Sequence, residues 1–541
     1  MSKPPINPNK KVLNKKYVKT ARKPVSQPQR HKAPSLSEAI LAIIEQHYTI
    51  GYDENSNRLY AVLADGHAFW IFDNDLHEQI AGFLDDQGIE VVLQDVRKWW
   101  SEKAFKLKRA ARAITVSKRI KGSPHQGEVI IDLGDKKGTL VKVTPDNQVE
   151  ILTEWPSPDT VMVKLPKQAA LPYPTATNSL EGVNKLTALL TQIVYYEALL
   201  FIAWLTYCLT HELDTRIMRV FLVLLGPQGS GKTSVCQHII QRFLDPNRIG
   251  VQMIPEKFED IAISTHQCYV PIFDNVSRVT NSLSDNLCQV ATGSAILTRK
   301  LFTNSESVVT KLQSTLVFNG IQQPFMKPDL ISRSLYLHFQ PLSLEQRQSE
   351  TDIAAYLDQH EGEIMGGLLH LCSEIMGEWP HATPKNDGRA VDFCRWLAAF
   401  DRVLDRDDSE DADTPSSSFS LEDAYASNLS QAYTTTLKNE PVAYLAHQIV
   451  LQHNGHWEGT MTQLFNRLLA AAENAPLRIH AYQLPNNAVS LGITLKEGSE
   501  VGASLQRVGV NVHHKRDRQR KVILTGDANC PGLHGSSEPV D

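Results

Sequence analysis

The sequence predicts an α/β protein built on a nucleotide-binding sheet, and three segments carry that prediction. The apolar run 220–225 (VFLVLL) passes directly into GPQGSGKT at residues 226–233 and then into the helical pattern SVCQHIIQRFL. Two further apolar runs, YVPIFDN and STLVFNG, end in polar residues at Asp274-Asn275 and at Asn319. Strand, glycine-rich loop and helix in that order suit a phosphate-binding loop. Glycines let the backbone wrap an anion, successive N–H groups point at it, and the helix start adds the positive end of its dipole.

The 541 residues are too many for one hydrophobic core, so three or four folded units are expected. With 42% apolar and 21% charged residues the chain reads as globular, not fibrous or wholly disordered. A net charge of −5 leaves nucleic-acid affinity to local patches. The 7 cysteines are scattered without a CxxC pair or metal-ligand spacing, and read as reduced core thiols of a cytoplasmic protein.

In chain order, residues 1–35 are rich in Lys, Arg and Pro and lack Asp and Glu. Such a segment cannot offset its chain entropy by burial, so disorder is expected; it is a nucleic-acid-binding arm or a solubilising tail. Residues 36–170 read as an N-terminal α/β domain. Ser35 or Ser37 caps a helix running to Tyr48, RLYAVLA and HAFWIFD pair about an Asp-Gly turn, and a helix spans 76–85. A basic stretch then interleaves Arg97, Lys98, Lys103, Lys106, Lys108, Arg109 and Arg112 with Trp99, Trp100 and Phe105. It is either a DNA-binding face or a solvated helix whose aromatics enter the core. GEVIIDLGD, TLVKVTPDNQVEIL and DTVMVKL add a small β-rich section.

Pro166, Pro172 and Pro174 mark a linker, and 178–215 is helical. The apolar run 186–209 approaches membrane-spanning length, but Gln192 and Glu197 inside it favour buried helices and no membrane contact. The nucleotide core covers 216–342. A helical lid at 343–405 shows apolar residues at helical spacing. An acidic Ser-rich linker (406–420), a C-terminal domain (421–525) and a disordered tail (526–541) complete the chain.

Within the core, Gly226, Pro227, Gln228, Gly229, Ser230, Gly231, Lys232, Thr233 and Ser234 are expected to cradle the phosphates of ATP. Lys232 would bridge the β- and γ-phosphates, and Thr233 would ligate Mg²⁺ with Asp274 at the end of its strand. Asn275 stands where a second acid is usual; it orients a water but cannot accept its proton. Glu256, Glu259 or Asp260 would then supply the carboxylate. Asn319 fits a γ-phosphate sensor or a turn-forming Asn before Gly. Arg333, expected exposed between a helix and a strand, fits an arginine finger offered to a neighbouring subunit or a surface ion pair.

Phosphate loop, Asp-ended strand, Asn-ended strand and Arg, in that order, resemble the AAA+ ATPases. The residues between them resemble more closely the ATPase domain of superfamily 3 and minichromosome-maintenance-like helicases, in particular the replication ATPases of phages and other bacterial mobile elements. The matching elements are Asp274-Asn275, Leu283-Ser284-Asp285 with Leu287-Cys288, Thr292-Gly293 with Thr298 to Thr303, Asn319-Gly320-Ile321, and Pro328-Asp329-Leu330 with Arg333-Ser334-Leu335. The resemblance covers residues 200–400 firmly and the flanks loosely.

It implies an AAA+ P-loop core with a lid, ATP and Mg²⁺ between the subunits of a homo-oligomeric ring, expected to be a hexamer, and single-stranded or forked DNA as partner. The implied function is an ATP-dependent DNA helicase or translocase for replication of a mobile element. A hairpin before the sensor strand would reach the pore, making Arg299, Lys300 and Lys311 candidates for DNA phosphates; otherwise they flank the nucleotide or join subunits. No primase-like metal site is evident upstream. A DNA-bound ATP switch that unwinds nothing remains the alternative, because of Asn275.

At the C-terminus, PVAYLAHQIVLQH, GHWEGTMTQLFNRLLAAAE and residues near VGASLQRVG suggest three helices, and NVHHKRDRQRKVILTG a β-hairpin. Together they describe a winged helix. His513, His514, Lys515, Arg516, Arg518, Arg520 and Lys521 sit at the hairpin tip, as DNA-phosphate contacts or as a solvated turn.

Overall fold

The computed structural model describes residues 35–530 apart from 146, 153–154, 157–160, 176, 214, 294, 300–306, 344, 386–387, 409–419, 475–478, 497, 517–519 and 528–529. The expected basic arm, most of the acidic linker and most of the tail thus lie outside the described residues.

Five parallel strands form the central sheet: β1 (Phe221–Leu225), β2 (Gln252–Met253), β3 (Ile272–Asp274), β4 (Val317–Gly320) and β5 (Ser334–His338). Their order is β2-β3-β4-β1-β5. The apolar run of β1 reflects burial on both faces. Leu222 and Leu224 join one core cluster, and Phe221, Val223 and Leu225 the other. The first face meets helices Tyr195–Thr210, Glu350–Glu378 and Val391–Asp408. The second meets Phe258–Gln267 and Asn281–Thr292.

Tyr195–Thr210 belongs to the most apolar stretch of the sequence, and it is buried from Glu197 onward. Its polar groups are satisfied inside the protein. Trp204 Nε1 donates to Val220 O (2.8 Å), and Thr206 Oγ1 donates to Ile202 O (2.9 Å). Among the described residues no helix is long and apolar enough to cross a membrane.

The N-terminal body opens with helix Leu36–His47, which Ser35 and Glu38 close in a capping box. Its mixed six-stranded sheet pairs Arg58–Leu63 antiparallel with His67–Trp70, as the sequence predicts. Tyr48, expected to end the helix, instead begins a strand, Tyr48–Asp53. Helices Leu36–His47, Asn74–Asp86 and Leu93–Ala110 cover one face. On the last of these Trp99 and Trp100 are buried but Phe105 is 77% exposed, so only part of the aromatic set enters the core.

Strands Ile120–Ser123, Glu128–Asp132, Leu140–Thr144 and Gln148–Leu152 form a separate antiparallel sheet. It packs on the helix Glu350–Glu378, where Ser373 Oγ donates to Thr144 O. The helix Leu421–Leu437, grouped by sequence with the C-terminal domain, docks along β5. Asn428 Oδ1 accepts from Tyr336 N (3.0 Å) and Asn428 Nδ2 donates to Tyr336 O (2.7 Å), so the side chain pairs the backbone of an edge strand.

The C-terminal unit then holds helices Pro441–Gln452, Met461–Asn474, Ala488–Thr494 and Glu500–Arg507. A three-stranded antiparallel sheet completes it, with Arg520–Gly526 between His456–Thr460 and Val510–Arg516.

Candidate functional site

β1 delivers the chain to the C-terminal edge of the sheet, where β4 separates it from β3. The loop begins at Gly226, with φ 154°, where a Cβ would lie 2.5 Å from Phe339 O. Only glycine lets the backbone pass β5 this closely. Gly231 takes φ 82° and opens the helical turns Lys232–Ser234, Val235–Ile240 and Gln241–Phe243. The unpaired N–H groups of a first turn favour an anion there.

Lys232 is buried against its own loop. Its Nζ donates to Gly226 O (2.8 Å), Pro227 O (2.7 Å) and Ser230 Oγ (3.2 Å). Burial lowers its pKa from the ordinary lysine value, against the opposing pull of Asp274. An arriving phosphate would take over the bonds these carbonyls now hold.

Three residues from three segments converge beside it. Asn319 Nδ2 donates to Thr233 Oγ1 (3.1 Å) and to Asp274 Oδ1 (2.6 Å). Asp274 Oδ1 also accepts from Asn275 N (2.8 Å). Asn275 itself is exposed, in the left-handed region at φ 54°. Thr233 and Asp274 offer hard oxygen donors at adjacent positions, a donor set that fits Mg²⁺. Glu256, Glu259 and Asp260 are exposed in the segment that follows β2. Because Met253 stands beside Asp274 in register, that segment leaves the sheet at the same edge.

The groups flanking the loop have no signature in the sequence. A cavity of about 230 Å³ is lined by Gln192, Gly231, Ser234, Val235, His238 and Ile353, among others. Glu350, at the start of the helix Glu350–Glu378, accepts from Ser234 Oγ (2.6 Å) and pairs with His238 Nε2 (2.5 Å). These bonds tie that helix to the helical turns after the glycine-rich loop, and their residues come from segments too far apart in sequence to form a motif.

Arg333 lies at the other edge. β5 runs parallel to β1, with Ser334 beside Phe221 and His338 beside Leu225, so Arg333 precedes the end of β5 remote from the loop. The expectation that it is exposed is corrected: Arg333 is 9% exposed. The short helix Pro328–Ile331 sets Asp329 one turn before it. Arg333 Nη1 donates to Asp329 O (2.6 Å) and pairs with Asp329 Oδ2 (2.7 Å). The same carboxylate pairs with Arg389, whose side chain is 55% exposed.

Two basic hairpins are present in backbone outline. Ala295–Arg299 pairs antiparallel with Ser307–Lys311 just before β4. Lys300 and the side chains of Arg299 and Lys311 lie outside the described residues. In the C-terminal hairpin Lys515 stands opposite Lys521, and Arg516 opposite Arg520. Like charges directly across a ladder cost stability, which an anion would relieve. Lys515 and Arg520 are exposed, whereas Lys521 Nζ donates to Glu458 Oε1 (2.6 Å) and is neutralised by the neighbouring strand. The side chain of Arg516 and the whole of Arg518 lie outside the described residues.

Residues 183–409 match the family model of the actinomycete integrative conjugative element replication protein, and residues 442–536 match that of the AICE RepA C-terminal domain. No curated protein matches the chain. Among solved structures, the chain is similar to the active helicase Cch of SCCmec type IV, at 11% identity over 90% of this chain and 93% of that one, with a TM-score of 0.41. It is also similar to the NrS-1 C-terminal region, at 12% identity over 90% and 98%, with a TM-score of 0.38. JCV helicase matches at 18% identity over 47% and 65%, with a TM-score of 0.23.

Proposed function

We propose that this chain is an ATP-dependent DNA helicase or translocase that works as a ring in replication of a mobile genetic element. The observation that carries the reading is the meeting of Thr233, Asp274 and Asn319 beside Lys232, on a sheet ordered β2-β3-β4-β1-β5. That order, with a strand between the phosphate-loop strand and the Asp-ended strand, fits the AAA+ class. The match of residues 183–409 to a mobile-element replication protein supports the biological setting.

In this reading the loop N–H groups and Lys232 hold the ATP phosphates, and the base enters the cavity beside Gln192 and His238. Thr233 and Asp274 would hold Mg²⁺, which would supply charge neutralisation at the phosphates. Asn319 orients the attacking water, and one of Glu256, Glu259 and Asp260 accepts its proton. Arg333 is too far from its own loop to act there, so it serves the nucleotide of a neighbouring subunit. To do so it leaves Asp329, and Arg389 remains to hold that carboxylate. The paired hairpins grip DNA phosphates, and the C-terminal unit acts as a winged helix.

A second reading, a DNA-bound ATP switch, is favoured by Asn275 in place of an acid. The discriminating experiment is strand displacement on a forked duplex, beside ATPase rates with and without single-stranded DNA. ATP-dependent displacement supports the helicase; DNA-stimulated hydrolysis without displacement supports the switch; hydrolysis indifferent to DNA contradicts both.

A further inference from the structure

The N-terminal body and the nucleotide core enclose a cavity of about 590 Å³ that none of the motifs above uses. One wall is aromatic, formed by Tyr60, Trp70 and Phe72 from the six-stranded sheet and the loop that follows it. Arg58, on the strand that carries Tyr60, and Lys118 line it as cations from separate segments, with the His266 imidazole coming from the nucleotide core. The Arg58 guanidinium lies over the Trp70 ring, 4.5 Å from its centroid. Burial and the nearby charges of Arg58 and Lys118 push the His266 pKa well below the ordinary value, so the imidazole is neutral at pH 7.

Three of the four carboxylates on the lining, all but Asp75, accept hydrogen bonds within the protein. Asp53 accepts from Ser56 N, Asp73 from Asp75 N, and Glu212 from Ser117 Oγ and Gly122 N. The volume lies in the range of small-ligand sites. Trp70 and Phe72 meet edge to face, centroids 5.5 Å apart and planes at 78°, so they form an aromatic corner that offers a base one ring face and one ring edge, with cations beside it for a phosphate.

Position adds a second reason. Thr215 lines the cavity, and its N–H donates to Gln313 Oε1 (3.1 Å). Gln313 closely follows the strand Ser307–Lys311, so the cavity borders the root of the basic hairpin. It therefore lies at the sheet edge opposite the phosphate loop.

We propose that this cleft binds a phosphorylated nucleoside, seating its base in the corner between Trp70 and Phe72 and holding its phosphate with Arg58 and Lys118. Two sources share that chemistry: a nucleotide within a single strand that has passed the hairpin, and a free mononucleotide. The site is distinct from the phosphate loop and does not depend on hydrolysis there.

The test uses the full chain without ATP, with two probes: a fluorescein-labelled dT20 followed by anisotropy over a salt series, and dTMP followed by calorimetry. Three variants are compared with wild type: Trp70→Leu, Arg58→Glu with Lys118→Glu, and the milder Arg58→Gln. DNA-independent ATPase at the wild-type level verifies that each is folded. The strand source predicts that the double variant weakens dT20 binding at least tenfold and flattens its salt dependence, while dTMP binds none of the proteins. The free-nucleotide source predicts saturable dTMP binding that Trp70→Leu abolishes. If every folded variant binds both probes as wild type does, the proposal is overturned. Failure to unwind a fork while cleft-dependent binding persists would reject the helicase reading and leave this site standing.

Discussion

Asn319 is the residue on which the site turns, because one side-chain amide joins the hydroxyl of Thr233 to the carboxylate of Asp274. Asn319→Ala is expected to lower kcat about a hundredfold with little change in ATP affinity, as for loss of one preorganised donor; a wild-type kcat would remove it from the machinery. The glycine pattern and the Asp- and Asn-ended strands made these residues legible, since each role demands a residue type at a strand end. The shielding of Arg333 was not legible, because Asp329 reads equally well as a helix-start acid. A buried group gives a pH test. His67 sits between Asp65 and Asp132; burial opposes its charge, but both carboxylates outweigh that and raise its pKa to about 8 from 6.5. Its folded value exceeds its unfolded one, so the stabilisation is full below about pH 6.5 and is lost as pH rises through about 8, roughly 2 kcal/mol in all. Between pH 6 and 9, wild type should lose more Tm than His67→Gln; parallel curves would contradict the charge assignment.

At the scale of elements, the strand–loop–helix from β1 onward was readable because burial on both faces leaves an unbroken apolar run. The strand Tyr48–Asp53 was not, since it follows the helix Leu36–His47 directly, with no turn residue between them to mark the change. Its place is set by neighbours: a Cβ on Gly51 would lie 2.4 Å from Ile114 Cδ1 of the adjacent strand. The docking of Leu421–Leu437 on β5 was equally hidden, because Asn428 looks like a solvent-facing residue until Tyr336 supplies its partners. Asn428→Ala should cost about 2 kcal/mol in urea unfolding, since it strands a buried N–H and C=O; an unchanged midpoint would show that water replaces the amide. In the C-terminal hairpin, Lys515→Ala with Arg520→Ala should lower the slope of log binding constant against log salt by about two, and Lys521→Ala should change it little, because Glu458 already holds that charge. Equal effects would contradict this division.

At the scale of the molecule, the parallel sheet around the glycine-rich loop and the C-terminal hairpin were legible, whereas the C-terminal unit holds, among its described residues, four helices where three were expected, Ala488–Thr494 being the addition. What did not show was how the parts meet. The sheet from Ile120 to Leu152 lies against the helix Glu350–Glu378, and the aromatic cavity forms only where the N-terminal body touches the core. Both are tertiary contacts between segments whose local patterns carry no record of each other. The central claim is an ATP site with Lys232 in one subunit and Arg333 supplied by the next. Its most direct test is the steady-state ATPase rate of Lys232→Ala, of Arg333→Ala and of their equimolar mixture. The account predicts that each variant alone is inactive and that the mixture regains part of the wild-type rate, where an intact loop meets an intact arginine. Normal turnover by Lys232→Ala, or a mixture as inactive as its components, would contradict it.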